Sequence, residues 1–373
     1  MPSITSLTLR EIRLQLREPF RISSGTSWQR RILLVELHDA DGVIGWGECV
    51  AGETPHYTAE TVDTAWLAIR QWIAPAVLGR PFEAPNELHH LLDTGMRGHP
   101  MARAAVEMAT WDLTARRCGV SLAELLGGVR DEVATGISLG IVEQPDQLAE
   151  RAADAAAQGY RRIKLKVQPG ADVAYVEAAR TATGDATPLS VDANAAYTLA
   201  DRETLRSLDR FGLQMIEQPL AADALTQHAE LQRELDTPIC LDESIWSLAR
   251  ADEMVALGAG RVINIKPGRV GGFTAAVAIH DLAAEYGIPV WCGGMLESGV
   301  GRAHNVALAS LPNFTLPGDL SPSARYWERD IVEPPWTMRD GLVAVPYDRP
   351  GMGVEVDRDY IRELTVRAET LGA

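Results

Sequence analysis

Five short apolar runs between Ile163 and Gly271 decide the fold: Ile163-Lys164-Leu165-Lys166-Val167, Leu189-Ser190-Val191-Asp192-Ala193-Asn194, Met215-Ile216-Glu217-Gln218-Pro219, Ile239-Cys240-Leu241-Asp242-Glu243 and Val262-Ile263-Asn264-Ile265-Lys266-Pro267. Each run ends in an ionisable residue. Lys166, Asp192, Glu217, Asp242 and Lys266 follow one another at intervals of 26, 25, 25 and 24 residues. A helix-like segment lies between consecutive runs. One strand and one helix per period is the pattern of βα units around a parallel sheet. Eight such strands close into a barrel whose chemistry sits at the strand C-termini, where all five of these residues fall.

Outward from this stretch, Ala134 to Gly140 reads as the first barrel strand. Ile288-Pro289-Val290-Trp291-Cys292 is the seventh, ending 26 residues after Lys266. An eighth is expected near Phe314-Thr315-Leu316, ending at Gly318-Asp319. The fold class is therefore α/β: a (βα)7β barrel of the TIM type, one helix short of eight. Before it, Leu7, Leu9, Ile12, Leu14 and Leu16 alternate with polar residues, with one break in phase, and read as a β-hairpin. Ser23-Ser24-Gly25-Thr26-Ser27 reads as a loop. Ile32–Leu37 and Gly45–Cys49 read as strands, and Thr58–Leu78 and Ala102–Arg117 as helices. After the barrel come Gly341–Pro346 and Gly351–Val356, expected to pair back onto the N-terminal sheet. The expected division is residues 1–128 as an α+β capping domain, 129–325 as the barrel, and 326–373 as a C-terminal segment returning to the cap.

Composition narrows the function. The chain has 373 residues, 46% of them hydrophobic, and a net charge of −16. A large core is available, and nothing basic enough for nucleic acid or an anionic membrane appears. Cys49, Cys118, Cys240 and Cys292 lack metal-type spacing and read as reduced thiols. The first residues carry no apolar signal segment and no run reaches transmembrane length, so the expected location is cytoplasmic.

The strand ends carry the chemistry. Lys164 and Lys166 are two apart on one strand and share its inward face, and burying both ammonium groups requires partners. Asp192, Glu217 and Asp242 end three successive strands and converge within reach of one cation. All-oxygen ligation suits a hard ion, magnesium first. A metal beside a lysine supports removal of a proton α to a carboxylate, with the ion neutralising the ene-diolate that forms. Ser138 and Asn194 read as substrate contacts, Asn194 equally as a turn residue. Gly293-Gly294-Met295 reads either as a substrate-binding segment, through Gly294 and Met295, or as a turn. Glu243 should point away from Asp242 if its strand continues. Arg269 either lowers the Lys266 pKa or anchors its loop.

The chain resembles the enolase superfamily, and within it the muconate-lactonising branch with its Lys-x-Lys strand. The segments Asp192–Thr198, Ile216–Leu220, Pro238–Ser244, Asn264–Gly272 and Pro289–Asp319 are similar to the o-succinylbenzoate synthase / N-acylamino acid (N-succinylamino acid) racemase family. The resemblance implies Asp192, Glu217 and Asp242 as Mg²⁺ ligands, with Mn²⁺ as the alternative ion. It implies Lys166 and Lys266 as acid/base residues on opposite substrate faces. It implies Lys164 on the substrate carboxylate or a metal-bound oxygen, and Ser23–Ser27 as a lid. The activity implied is Mg-dependent α-proton abstraction from a small carboxylate through an enediolate. That step serves dehydration to o-succinylbenzoate, toward menaquinone, and racemisation of N-acylamino acids. A homo-oligomer is expected, with no nucleic-acid or membrane partner. The alternatives are a dipeptide epimerase, disfavoured because Asp319 is followed by Leu320-Ser321 rather than completing an Asp-x-Asp clamp, a muconate cycloisomerase, and a non-catalytic acid-binding barrel.

Overall fold

The computed structural model describes residues 2–23 and 25–372. Seven parallel strands form its central sheet in chain order: Gly136–Leu139, Arg162–Lys166, Leu189–Asp192, Ile216–Glu217, Ile239–Leu241, Val262–Ile265 and Val290–Cys292. Helices between them cover the outside, from Pro145–Ala157 to Gly299–Ala309. Leu165 and Val167 face those helices and are fully buried. Inside the ring, Met215, Cys240, Val262 and Trp291 pack on one another.

The eighth strand is reduced to a bridging segment. Phe314 bridges to Val290 and Gly318 to Thr135. The Gly136 amide donates to Gly318 O at 2.7 Å, and the Asp319 amide to Cys292 O at 2.8 Å. Residues 314–319 thus join the seventh strand to the first and close the barrel. Pro317, which has no N–H to give a ladder, explains why no longer strand forms.

The cap is a four-stranded antiparallel sheet in which Ile4–Ile22 lies between Thr365–Gly372 and Gly25–Asp39, followed by Ile44–Cys49. Two expectations change here. The stretch Ser6–Leu16 is no hairpin but part of one 19-residue strand. Its break in phase coincides with a register shift against the last strand, between Glu11 and Ile12. The residue skipped is Val366 of the last strand, while pairing with Gly25–Asp39 runs unbroken from Ser6 to Gln15; the strand buries opposite faces in turn, Leu7 and Leu9 packing on the cap helices and Ile12, Leu14 and Leu16 joining the larger core. The strands at 342–344 and 355–356 do not join this sheet. Leu342–Ala344 pairs with Glu132–Ala134, and Glu355–Val356 with Val332–Glu333. The part that returns to the cap is the polar end of the chain, Thr365–Gly372, whose exposed and half-buried residues alternate.

The long helix Pro100–Cys118 ties cap to barrel. Gly45 and Gly47 let the third cap strand lie against it, since a Cβ on Gly47 would stand 2.0 Å from Ala105 O. From the same helix, the buried Glu107 carboxylate accepts from the Phe273 and Thr274 amides at 2.8 and 3.0 Å. It thereby caps the barrel helix Phe273–Glu285. Glu48 does the same for the helix Gly299–Ala309, accepting from the Ser298 and Gly301 amides at 3.1 and 3.0 Å. The helix expected over Thr58–Leu78 starts later, at Val62 behind the Thr61 cap, and passes through a π turn at Ile69–Ile73.

Candidate active site

Strand register sets the site in two layers. Ser138, Lys164 and Ser190 lie side by side across the first three barrel strands, and Lys166, Asp192 and Glu217 across the second to fourth. Because side chains alternate along a strand, both layers point into the barrel mouth. Lys164 Nζ lies 3.0 Å from Glu217 Oε2, 3.4 Å from Asp192 Oδ2 and 2.7 Å from Asp319 Oδ2. Lys166 Nζ donates at 2.6 Å both to Asp192 Oδ2 and to Asn194 Oδ1. Lys266 Nζ donates to Asp242 Oδ2 at 2.8 Å. These are the chain's only three lysines; every other cation of the 35 Lys and Arg is an arginine. That restriction is a sequence signal pointing at the same three positions.

The charges hold one another in place. Burial pushes Asp192 up, yet Lys166 and Lys164 outweigh it and keep the carboxyl far below its ordinary range. Burial and the charge of Asp192 push Glu217 up, against Lys164. Two neighbouring carboxylates are thus driven apart. Burial works against the Lys164 ammonium, but Asp319, Glu217 and Asp192 overcome it and raise its pKa.

The substrate-contact expectations divide. Asn194, Gly294 and Met295 line one cavity of about 140 Å³ together with Lys166 and Lys266. Asn194 has a left-handed backbone, φ 43°, as does Gln218 at φ 38°. These strained positions sit at the ends of the third and fourth strands, where they redirect the chain at the mouth. Ser138 is buried beneath, beside Lys164 in register, with its hydroxyl unpartnered; it is not part of that cavity wall. The loop expected at Ser23–Ser27 is a hairpin tip instead, with Ile22 opposite Gly25 and Thr26–Ser27 already in the second strand. Ser24 lies outside the described residues. Phe20 and Ile22 on this hairpin also line the cavity, and the Arg21 carbonyl accepts from the Ile141 amide at 3.0 Å.

Glu243 does not point away. The strand ends at Leu241, so alternation lapses, and Glu243 Oε1 accepts from Asn194 Nδ2 at 2.9 Å. Arg269 is buried in the short helix Pro267–Val270, ion-paired to Asp242 and donating to Asn264 O at 2.6 Å and Ile245 O at 2.8 Å. It is an anchor that fixes Asp242. The expected fall in the Lys266 pKa is also absent: burial lowers it, but Tyr57, Glu243 and Glu217 outweigh that and raise it.

Four residues escaped the sequence reading. Tyr57, from the cap, donates to Asp242 Oδ1 at 3.0 Å and accepts from Lys266 Nζ at 3.0 Å. Asn264 Nδ2 donates to Glu217 Oε1 at 2.8 Å; its place two residues before Lys266 on the same strand face was a usable signal. Gln218 Oε1 accepts from the Asp242 amide at 3.0 Å, setting that residue's approach. Asp319 bridges Lys164 and Arg162, and the guanidinium of Arg162 lies 3.8 Å over the Trp291 ring.

Among the described residues no three carboxylate, imidazole or thiolate groups stand at metal-ligating distance. A lysine sits against each of Asp192, Glu217 and Asp242 instead. The donor set nonetheless fits a hard divalent ion: it is all oxygen, buried, and Glu217 Oε2 meets only the Lys164 ammonium.

A closed barrel with ionised strand ends, under an α+β cap, defines an enolase-like protein. Residues 147–360 match the enolase C-terminal domain-like family, and residues 4–127 match the mandelate racemase / muconate lactonizing enzyme N-terminal domain. The chain belongs to this mandelate racemase / muconate lactonizing enzyme family, in the muconate-lactonising branch of the enolase superfamily. It is 50% identical, over 97% of its length and 96% of the relative's, to an o-succinylbenzoate synthase of Geobacillus kaustophilus. It is 47% identical to an N-succinylamino acid racemase of Thermus thermophilus, over 97% of both chains. A solved enolase-superfamily structure from Listeria innocua superposes with a TM-score of 0.96 at 37% identity, over 100% of both chains. No helix among the described residues is long and apolar enough to cross a membrane.

Proposed function

We propose that the chain removes and returns the α-proton of a small carboxylate through an enediolate, serving o-succinylbenzoate formation and N-acylamino acid racemisation. The observation that carries this is the entry of two lysine ammonium groups, Lys166 from the second strand and Lys266 from the sixth, into one small cavity. Lys166 takes or gives the proton on one face of the α-carbon and Lys266 on the other. Lys164, beneath them, neutralises the carboxylate end. Asp192, Glu217 and Asp242 would hold Mg²⁺, with Mn²⁺ as the alternative, and the ion supplies neutralisation of the charge that builds on the carboxylate. Asn194 and Asn264 hold Lys166 and Glu217 in place, while Gly294 and Met295 shape the wall. A dipeptide epimerase is disfavoured, since Asp319 is already bound to Lys164 and Arg162.

The test is α-deuterium exchange of an N-acylamino acid in D₂O. EDTA should stop exchange and Mg²⁺ restore it. Full exchange in metal-free protein would remove the metal assignment, and no exchange in Mg²⁺-loaded protein would remove the reaction.

A further inference from the structure

Beneath Lys166 and Lys266 the barrel holds a second charged layer. Arg162, Lys164 and Lys166 lie two apart on one strand and share its inward face. The fully buried Arg162 has its guanidinium 3.8 Å over the Trp291 ring, and the Lys164 ammonium stands 4.6 Å over the same ring. One carboxylate joins the two cations. Asp319 Oδ1 accepts from Arg162 Nη2 at 3.1 Å, and Asp319 Oδ2 lies 2.7 Å from Lys164 Nζ. That is the shortest of the three contacts Lys164 makes with carboxylates.

Asp319 is itself held at both ends of its backbone. Its amide donates to Cys292 O at 2.8 Å, and its carbonyl accepts from the buried Arg302 of the helix Gly299–Ala309. The other carboxylates beside Lys164 have further duties. Asp192 Oδ2 receives Lys166 at 2.6 Å, Glu217 Oε1 receives Asn264 at 2.8 Å, and both belong to the expected ligand set of the divalent ion. Asp319 lies outside that set, on the closing segment. Among the described residues its carboxylate has only Arg162 and Lys164 as cations within 4.0 Å. A carboxylate gripped by a guanidinium on one oxygen presents the other in a fixed direction. We propose that Asp319, oriented by Arg162, is a positioning residue that holds the Lys164 ammonium in place while Asp192 and Glu217 serve the ion. It acts through Lys164 and touches no substrate. This rests on the proton-transfer reading, in which Lys164 neutralises the substrate carboxylate.

The test is a double-mutant cycle on Asp319 and Lys164, with N-acetylglycine as the probe in Mg²⁺ buffer. Deuterium exchange gives kcat/KM and calorimetry gives Kd, so the cycle closes even where exchange is too slow to follow. Asp319→Asn keeps the shape and removes the charge. Exchange should fall about 10²-fold, the effect of misplacing a working group by about 1 Å, and Kd should rise about tenfold. With Lys164→Met already present, the same substitution should change either quantity by less than about threefold. Losses of equal size in both backgrounds overturn the proposal, because Asp319 would then act on the substrate directly or only on the fold. So does an Asp319→Asn chain with wild-type exchange and binding. If Asp319→Asn fails to fold by circular dichroism, Arg162→Gln carries the same cycle. A loss of about tenfold confined to the chain that keeps Lys164 supports the clamp, and an equal loss in both backgrounds counts against it. A non-additive cycle in Kd with no exchange even in wild type would sink the reaction assignment and leave the clamp standing. Wild-type exchange with fully additive losses would do the reverse.

Discussion

The two walls of the cavity are built on different principles. The barrel wall consists of strand ends, where a short rigid element fixes each side chain and a regular period brings one ionisable group after another to the mouth. The cap wall consists of Arg30, Tyr57 and the hairpin residues Phe20 and Ile22, from positions without common spacing. One wall holds charge against charge in a closed set. The other holds its arginine on the Val50 and Ala51 carbonyls. Groups that move protons gain from the first kind of support, because small displacements cost rate.

The comparison breaks most visibly at the lysines. Lys166→Ala should lose exchange of one N-acylamino acid enantiomer and Lys266→Ala of the other, each by about 10²–10⁴-fold, the usual worth of a positioned acid/base group. NMR of each enantiomer in D₂O follows this directly. Exchange of both enantiomers in both variants would mean that neither lysine is a base.

Next is Asp319→Ala, which leaves Arg162 buried in the barrel without a carboxylate and takes from Lys164 one of its three. Removing one partner of such a set costs about 3–5 kcal/mol. A urea titration should show that loss; a drop below about 1 kcal/mol would show that water replaces the carboxylate, as at a surface pair.

At the seam between the walls, Glu48 offers a pH test. Burial, with Glu297 nearby, pushes its carboxyl from 4.5 to about 7, against the bonds from Ser298 and Gly301. A raised carboxyl costs nothing below its unfolded pKa, where both states are protonated. The cost grows as pH rises from 4.5 and is complete above about 7. Glu48→Gln should therefore become more stable relative to wild type across that window, by on the order of 3 kcal/mol at about 1.36 kcal/mol per pKa unit. Thermal melts at pH 5 and pH 8 measure the difference, and a constant gap would refute it.

The smallest effect is expected on the cap. Tyr57→Phe removes the hydroxyl shared by Asp242, Lys266 and Arg269. Exchange kcat/KM should fall about tenfold, one hydrogen bond to charged groups. A fall equal to that of Lys266→Ala would place Tyr57 among the acid/base groups.

What the sequence disclosed follows the same division. The five strand ends and the barrel were readable because strand alternation and the βα period act locally, and Asn194, Gly294 and Met295 followed from their neighbours. Glu243 was misread because alternation was extended past the last strand residue. Arg269 stayed between two readings, a charge that lowers the Lys266 pKa and an anchor for its loop, because burial is a tertiary fact. Tyr57 and Arg30 reach the cavity only through the docking of cap on barrel, set by Glu107, Glu48 and the close approach of Gly47 to Ala105, and no local pattern announces such contacts. The phase break at Glu11 was visible, yet a strand that buries first one face and then the other leaves the same trace in sequence as a hairpin.

The confinement of lysine to positions 164, 166 and 266 has a practical side. The exterior carries its positive charge entirely as arginine, so it offers no side-chain amine to acylating or reductive-alkylating reagents. Isotope-labelled lysine would give a spectrum with three side-chain signals, each arising from the site and none from the surface. Titration, metal addition and ligand binding could then be followed at the three lysines of the barrel mouth, without assigning the rest of the chain.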